Sequence, residues 1–137
     1  MSNAYINAAL RRQVASRATN RCEYCHLAEE DTFLGCQVDH IISEKHGGPT
    51  TAENLAYACT FCNQRKGSDI ASLATGGTLV RLFNPRTDEW AEHFAVVGLI
   101  IQAKTPIAEA TIRLLAFNTP ERILEREALV KAKRFFS

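Results

Sequence analysis

An excess of charge of either sign is missing from this sequence: acidic and basic residues nearly cancel over 137 residues, leaving a formal charge of +1. Binders of long duplexes usually display a more basic surface, because released counterions drive much of their affinity. The overall charge therefore decides neither for nor against nucleic acid. Also missing is any stretch approaching the roughly 20 apolar residues that would span a bilayer. The longest apolar run, Phe94 to Ile101, is broken by Gly98 and reads as strand. No basic segment followed by an apolar one marks a signal peptide, so a cytoplasmic chain without a membrane partner is expected. There is no internal repeat and no low-complexity tract. Five cysteines in such a chain do not suggest a disulfide framework.

The apolar fraction of 46% is that of an ordinary globular protein. The length allows one domain, or a core with an extension. Residues 4–19 alternate Ala, Leu and Val with Arg and Gln at helical spacing, placing Leu10, Val14 and Arg17/Ala18 on one face, with Asn20 as a stop. Arg11, Arg12, Arg17 and Arg21 cluster here, either as a solvated face or as a contact for an anion. Phe33 to Ile42 has the pattern of a short hairpin, Gly47-Gly48-Pro49 is a loop, and Thr51 to Leu55 reads as a helical turn. A helix is expected after Cys62, ended or loosened by Gly67. Beyond Thr75-Gly76-Gly77 the character changes. Leu79–Phe83, His93–Val97 and Leu99–Ala103 read as strands, the last two hinged at Gly98. Residues 84–88 form a turn, and helices follow from Pro106 to Phe117 and from Thr119 to about Arg134. These signals predict an α+β chain in two parts, residues 1–75 and 76–137, packed together.

Four of the cysteines form two C-x-x-C pairs, Cys22/Cys25 and Cys59/Cys62. Each pair can point two thiolates at one ion from a single turn, and two pairs supply the four soft ligands that tetrahedral Zn²⁺ favours. Four thiolates leave no open position, so a structural zinc is expected. A redox C-x-x-C needs only one pair near a βαβ unit, and no such unit is visible. Cys36 is left over and reads as a small strand residue. Residues 26–58, between the pairs, exceed the usual spacing of a minimal zinc finger, so something substantial is inserted there.

Cys22-x-x-Cys25, Val38-Asp39-His40-Ile41-Ile42, Gly47-Gly48, Glu53-Asn54-Leu55, Cys59-x-x-Cys62 and Asn63-x-x-Lys66-Gly67 resemble an HNH endonuclease in its four-cysteine form. The resemblance covers roughly Arg17 to Ser68. It implies a ββα-metal core, braced by a zinc knuckle, acting on nucleic acid and more readily on DNA than RNA. It makes His40 the general base, a role that suits a group of near-neutral pKa. Asp39 becomes a hard ligand for Mg²⁺, Mn²⁺ or another divalent ion, and Asn54 a positioning residue that braces the loop. Neighbours on a strand point to opposite faces, so Asp39 and His40 share a site only where the strand ends or bends, or with metal and water on different sides. The family's last His, commonly a metal ligand, is replaced by Asn63, whose amide oxygen still suits a hard cation. Lys66 is a candidate phosphate contact, ahead of Arg65. His46 in the glycine loop and His26 beside the first knuckle are more often solvated.

The C-terminal part resembles an extension of some bacterial HNH proteins in Leu82-Phe83-Asn84-Pro85-Arg86, Trp90 and His93-Phe94. Its aromatics read as packing, or else Arg86, Trp90 and His93 offer a stacking surface for bases. The last helix reads as an amphipathic cover or a homodimer contact. Two functions thus stand: a metal-dependent endonuclease, or a zinc-stabilised module that binds nucleic acid or protein without catalysis.

Overall fold

The structure, a computed structural model, describes residues 5–135, so the expected helix start at residue 4 lies outside the described residues. The chain divides into two units. One comprises the chain up to Ile70 with Asn84–Asp88; the other comprises Ala71–Phe83 and the chain from Glu89 onward.

In the first unit, helix α1 spans Ala8–Arg17, capped by Asn7, whose side chain accepts from the Leu10 amide at 2.8 Å. Thr19 and Asn20 take left-handed φ values of +53° and +55°, which stops the helix where Asn20 suggested. Val14 is fully buried against Ile6, Leu55 and Tyr57, with Leu10 and Ala18 alongside. Burying a side chain such as Leu55 is worth about 2 kcal/mol. Arg17 lies on the same face for a polar reason: its guanidinium donates to the carbonyls of Ala52 (2.9 Å) and Leu55 (2.7 Å).

Strand β1 (Cys36–His40) pairs antiparallel with β2 (Leu55–Cys59), placing Val38 opposite Tyr57 and His40 opposite Leu55. The hairpin expected within Phe33–Ile42 is therefore formed across a long connection, by a partner strand that the sequence pattern does not reveal. The reason is physical. All five residues of β2 are buried, so the strand lacks the alternation that betrays a half-exposed one. Thr51–Leu55 does contain a turn, a 3₁₀ turn at Ala52–Asn54. Helix α2 (Thr60–Lys66) starts before Cys62, because Cys59 serves as its N-cap, and it ends at Gly67 with φ +53°. β1, β2 and α2 form the expected ββα unit.

In the second unit, β3 (Ala71–Leu73) pairs with β4 (Leu79–Arg81). A single helical turn α3 (Trp90–His93) leads into β5 (Phe94–Val97), which pairs with β6 (Ile100–Ala103) around Gly98 at φ +63°. Helix α4 (Pro106–Leu114) packs on β6, β3 and β4, and α5 (Pro120–Lys131) follows. Both helices begin where expected, with proline in the first turn; Thr119 is the expected N-cap, and Thr105 caps α4 in the same way. Phe83, Trp90 and Phe117 each pack on Phe94, edge-on or tilted, with centroids 5.0–5.7 Å apart. Arg122 and Arg126 of α5 are buried because their guanidiniums take up carbonyls at Leu115, Phe117 and Leu99. The architecture is α+β.

Candidate metal centre and active site

The two C-x-x-C turns close on one point. The four sulfurs of Cys22, Cys25, Cys59 and Cys62 all lie within 4.8 Å of one another, and all four residues are buried. Cys25 Sγ and Cys59 Sγ are 3.7 Å apart. Tetrahedral zinc with bonds of about 2.3 Å puts sulfurs about 3.8 Å apart, so the cluster fits a structural zinc ion. Each knuckle also turns an amide toward a sulfur: Cys25 N donates to Cys22 Sγ and Cys62 N to Cys59 Sγ, both at 3.4 Å. Burial pushes the thiols of Cys22 and Cys62 well up; the neighbouring cysteines add to the rise at Cys22, whereas at Cys62 the hydrogen bond with Cys22 opposes it and those with Cys25 and Cys59 add to it. A cation is what makes four buried thiolates tolerable. Glu23 ties the first knuckle to β2, accepting from the Tyr57 amide at 2.9 Å, and its other oxygen pairs with Arg86. Arg86 also reaches the Leu55 carbonyl. His26, expected to be exposed, is half-buried in the first knuckle, and burial pushes its ring down to about 4.

Asp39 and His40 sit at the end of β1, and each is only 6% exposed. Their side chains meet different partners, as neighbours on a strand must. Asp39 accepts from the Tyr24 hydroxyl at 3.2 Å and faces the Lys66 ammonium at 3.1 Å. Burial pushes the Asp39 carboxyl up, and Lys66 and Tyr24 draw it part of the way back. Burial, then Asp39, pushes the Tyr24 hydroxyl well up. Lys66 also donates to the His40 carbonyl at 3.0 Å and is 2% exposed. The cation expected as a phosphate contact is thus engaged with the end of β1. His40 Nε2 lies 2.9 Å from the Thr50 hydroxyl. Thr50 had no signal in the sequence beyond following a loop.

Asn54 takes over where strand pairing ends. Its Oδ1 accepts from Ile42 N at 3.0 Å, and its Nδ2 donates to Ile42 O and Pro49 O, both at 2.8 Å. The amide thereby extends the β1–β2 ladder by one residue and draws in the glycine loop. Gly48 completes this contact. A Cβ there would stand 1.7 Å from Ile42 O and 2.8 Å from Asn54 Nδ2, so only glycine fits. The second functional glycine, Gly47, turns the loop with φ +90°.

Asp39, His40 and Asn63 line one cleft of about 530 Å³, so the strand end does bring the pair to a common space. Asn63, on α2, donates through Nδ2 to Gln37 Oε1, which leaves its amide oxygen as the acceptor end. Ser43 also lines the cleft; its hydroxyl is buried and has no hydrogen-bond partner among the described residues. Together these groups offer a carboxylate, an amide oxygen and an orphaned hydroxyl, a donor set that suits a hard divalent ion. Lys66 does not line the cleft wall, and His46 and Arg65 are exposed outside it. In the second unit, His93 Nδ1 lies 2.7 Å from the Thr105 hydroxyl, and Trp90 stacks on Phe94.

No helix among the described residues is long and apolar enough to cross a membrane. No curated protein and no solved structure matches the chain. The family model described as HNH endonuclease matches residues 22–69, from the first zinc cysteine to just beyond α2. A nuclease acting on nucleic acid is what that family implies. Residues 22–69 thus match the HNH endonuclease family, and the four thiols at metal-binding distance inside that segment are consistent with its four-cysteine zinc form.

Proposed function

We propose that this protein hydrolyses phosphodiester bonds of DNA in a reaction that depends on a divalent ion. The observation carrying this reading is the common cleft of Asp39, His40 and Asn63 at the end of β1. Asp39 and Asn63 would hold the ion through oxygen, with the Ser43 hydroxyl as a further donor. Bound there, Mg²⁺ or Mn²⁺ supplies charge to the scissile phosphate and the leaving oxygen.

The protein's own contribution is a positioned base. His40 Nε2 is engaged with Thr50, so Nδ1 is the ring nitrogen that takes the proton of the attacking water. Thr50 fixes the ring, and Asn54 fixes the backbone that carries it. An amide does not titrate, which keeps Asn54 a positioning residue. Lys66 acts from behind the site, as the cation that balances Asp39, and so aids the phosphate through the field of the site.

Nicking of supercoiled plasmid by the full chain with Mg²⁺, Mn²⁺ or Ni²⁺, against a chelator control, tests this reading. We expect cleavage only with added metal. His40→Ala should lower it by at least about 10²-fold, in line with the loss of a general base, with zinc content unchanged. Full activity in that variant would overturn the assignment. Binding of nucleic acid without nicking under any metal would leave a non-catalytic zinc module.

A further inference from the structure

Four arginines precede or lie on α1 and the first knuckle, and the structure separates them by use. Arg17 is spent on the carbonyls of Ala52 and Leu55, and Arg21 donates to His26 O at 3.2 Å. Arg11 and Arg12 are exposed and stand on the walls of two clefts. The first is the cleft of Asp39 and His40. The second, of about 450 Å³, is lined by Arg11, Arg12, Cys36 and Tyr57 among others. The two clefts share Arg11, Gln37 and Val38, so they adjoin along the outer side of β1.

We infer that the second cleft holds the sugar–phosphate strand flanking the scissile bond, with Arg11 and Arg12 as its phosphate contacts. Charge supports an anion here. Among the described residues no carboxylate lines the second cleft, and the one lining the first, Asp39, is already balanced by Lys66 at 3.1 Å. Glu29, next to Tyr57 and Cys36, has its oxygens held by the Tyr57 hydroxyl and the Cys36 amide. A solvated helix face usually interleaves signs so that charges pair at i, i+4. Helix α1 reads Ala-Ala-Leu-Arg-Arg-Gln-Val-Ala-Ser-Arg and contains no acid at all. Among the described residues the Arg11 guanidinium spends only its Nε, on the Ile6 carbonyl at 3.0 Å, and the Arg12 guanidinium has no hydrogen bond or ion pair. The helix itself is fixed, because Val14 and Leu10 dock it on Leu55 and Tyr57. The two guanidiniums are therefore presented from a rigid support to phosphates on one side of the base His40. A chain of near-zero net charge can in this way concentrate its positive field where the strand must lie.

This inference rests on the nuclease reading for the identity of the ligand, and its test separates the two. In a His40→Ala background without added divalent ion, which suppresses cleavage, binding of fluorescein-labelled DNA is followed by anisotropy over a salt series, with RNA of the same sequence as a second arm. Arg11→Ala/Arg12→Ala should weaken binding about tenfold and lower the salt slope by about 0.7–0.9 for each phosphate no longer neutralised. Arg12→Glu alone, at an exposed side chain, should weaken it further than Arg12→Ala, which covers the case in which the double variant folds poorly. Lys131→Ala/Lys133→Ala serves as the charge-matched control and should bind like the parent. Unchanged affinity and slope in the Arg11 and Arg12 variants, or no binding by the parent, would overturn the inference. Loss of binding in those variants, beside a wild-type chain that never nicks plasmid, would keep the strand site and reject the nuclease.

Discussion

Asn54 holds Ile42 by both polar groups of its backbone, accepting from its amide at 3.0 Å and donating to its carbonyl at 2.8 Å. The side chain thereby acts as one more strand residue beyond Leu55, and its second donor bond, to Pro49 O, closes the loop. Asn54→Asp is the informative change, because it keeps shape and acceptor while deleting both donors. It also sets a carboxylate against two carbonyl oxygens. Leaving buried acceptors unsatisfied costs about 1–3 kcal/mol each, so we expect a loss of about 2–4 kcal/mol by denaturant titration. Nicking should fall further than folding explains, since the backbone carrying His40 is released. Gly48→Ala should act like Asn54→Asp, because its methyl group meets the same two atoms, Ile42 O and Asn54 Nδ2. A double variant no worse than either single one would place the two residues in one unit.

The zinc frame makes a separable prediction. Cys59 ends β2, caps α2 and contributes a thiol, so one residue links strand, helix and ion. Cys59→Ser should release zinc, measured by a colorimetric chelator, and should expose the segment from Arg21 to Ile70 to proteolysis. Dialysis of the parent against a strong chelator should give the same cleavage pattern, and zinc should reverse it. Retention of zinc by the variant at parental affinity would show that the four thiols do not bind as one site.

Much of this site was legible because its chemistry is local in sequence. Two C-x-x-C pairs need only turn geometry, and Asp39 and His40 stand in one short run, Val38 to Ile42. The long-range parts left little trace. Strand β2 is buried on both faces, so Leu55–Cys59 shows no period of two. Gln37 holds Asn63 and Thr50 holds His40 across the fold, yet both are common surface residues whose roles come from register and loop closure. Tyr24 sat inside a recognised motif, but that the turn of the knuckle would bring its hydroxyl to Asp39 is a tertiary fact. In the second part, the helix starts at Pro106 and Thr119 and the hinge at Gly98 were readable, whereas Thr105 as a cap was not. Nor were buried Arg122 and Arg126, since burial of arginine depends on carbonyls supplied by the segment after α4 and by the β5–β6 turn.

The pair of Lys66 and Asp39 gives the sharpest prediction about metal. Both side chains are buried, at 2% and 6% exposure, with 3.1 Å between ammonium and carboxylate. Removing one member of such a pair strands the other charge and typically costs about 3–5 kcal/mol. Lys66→Met preserves length and apolar volume while leaving Asp39 with only Tyr24, so it should destabilise the protein by about that amount. Burial already pushes the Asp39 carboxyl up, and losing the ammonium removes its main counterweight. If Asp39 is a ligand for a divalent ion, added Mn²⁺ replaces the missing positive charge. The rise in melting temperature on adding Mn²⁺ should then be larger for Lys66→Met than for the parent, and absent in Lys66→Met/Asp39→Asn. That double change should also recover part of the lost stability, since a neutral amide removes the stranded charge. An equal Mn²⁺ response in all three proteins would show that the ion binds without Asp39, and would move the catalytic ion away from the end of β1.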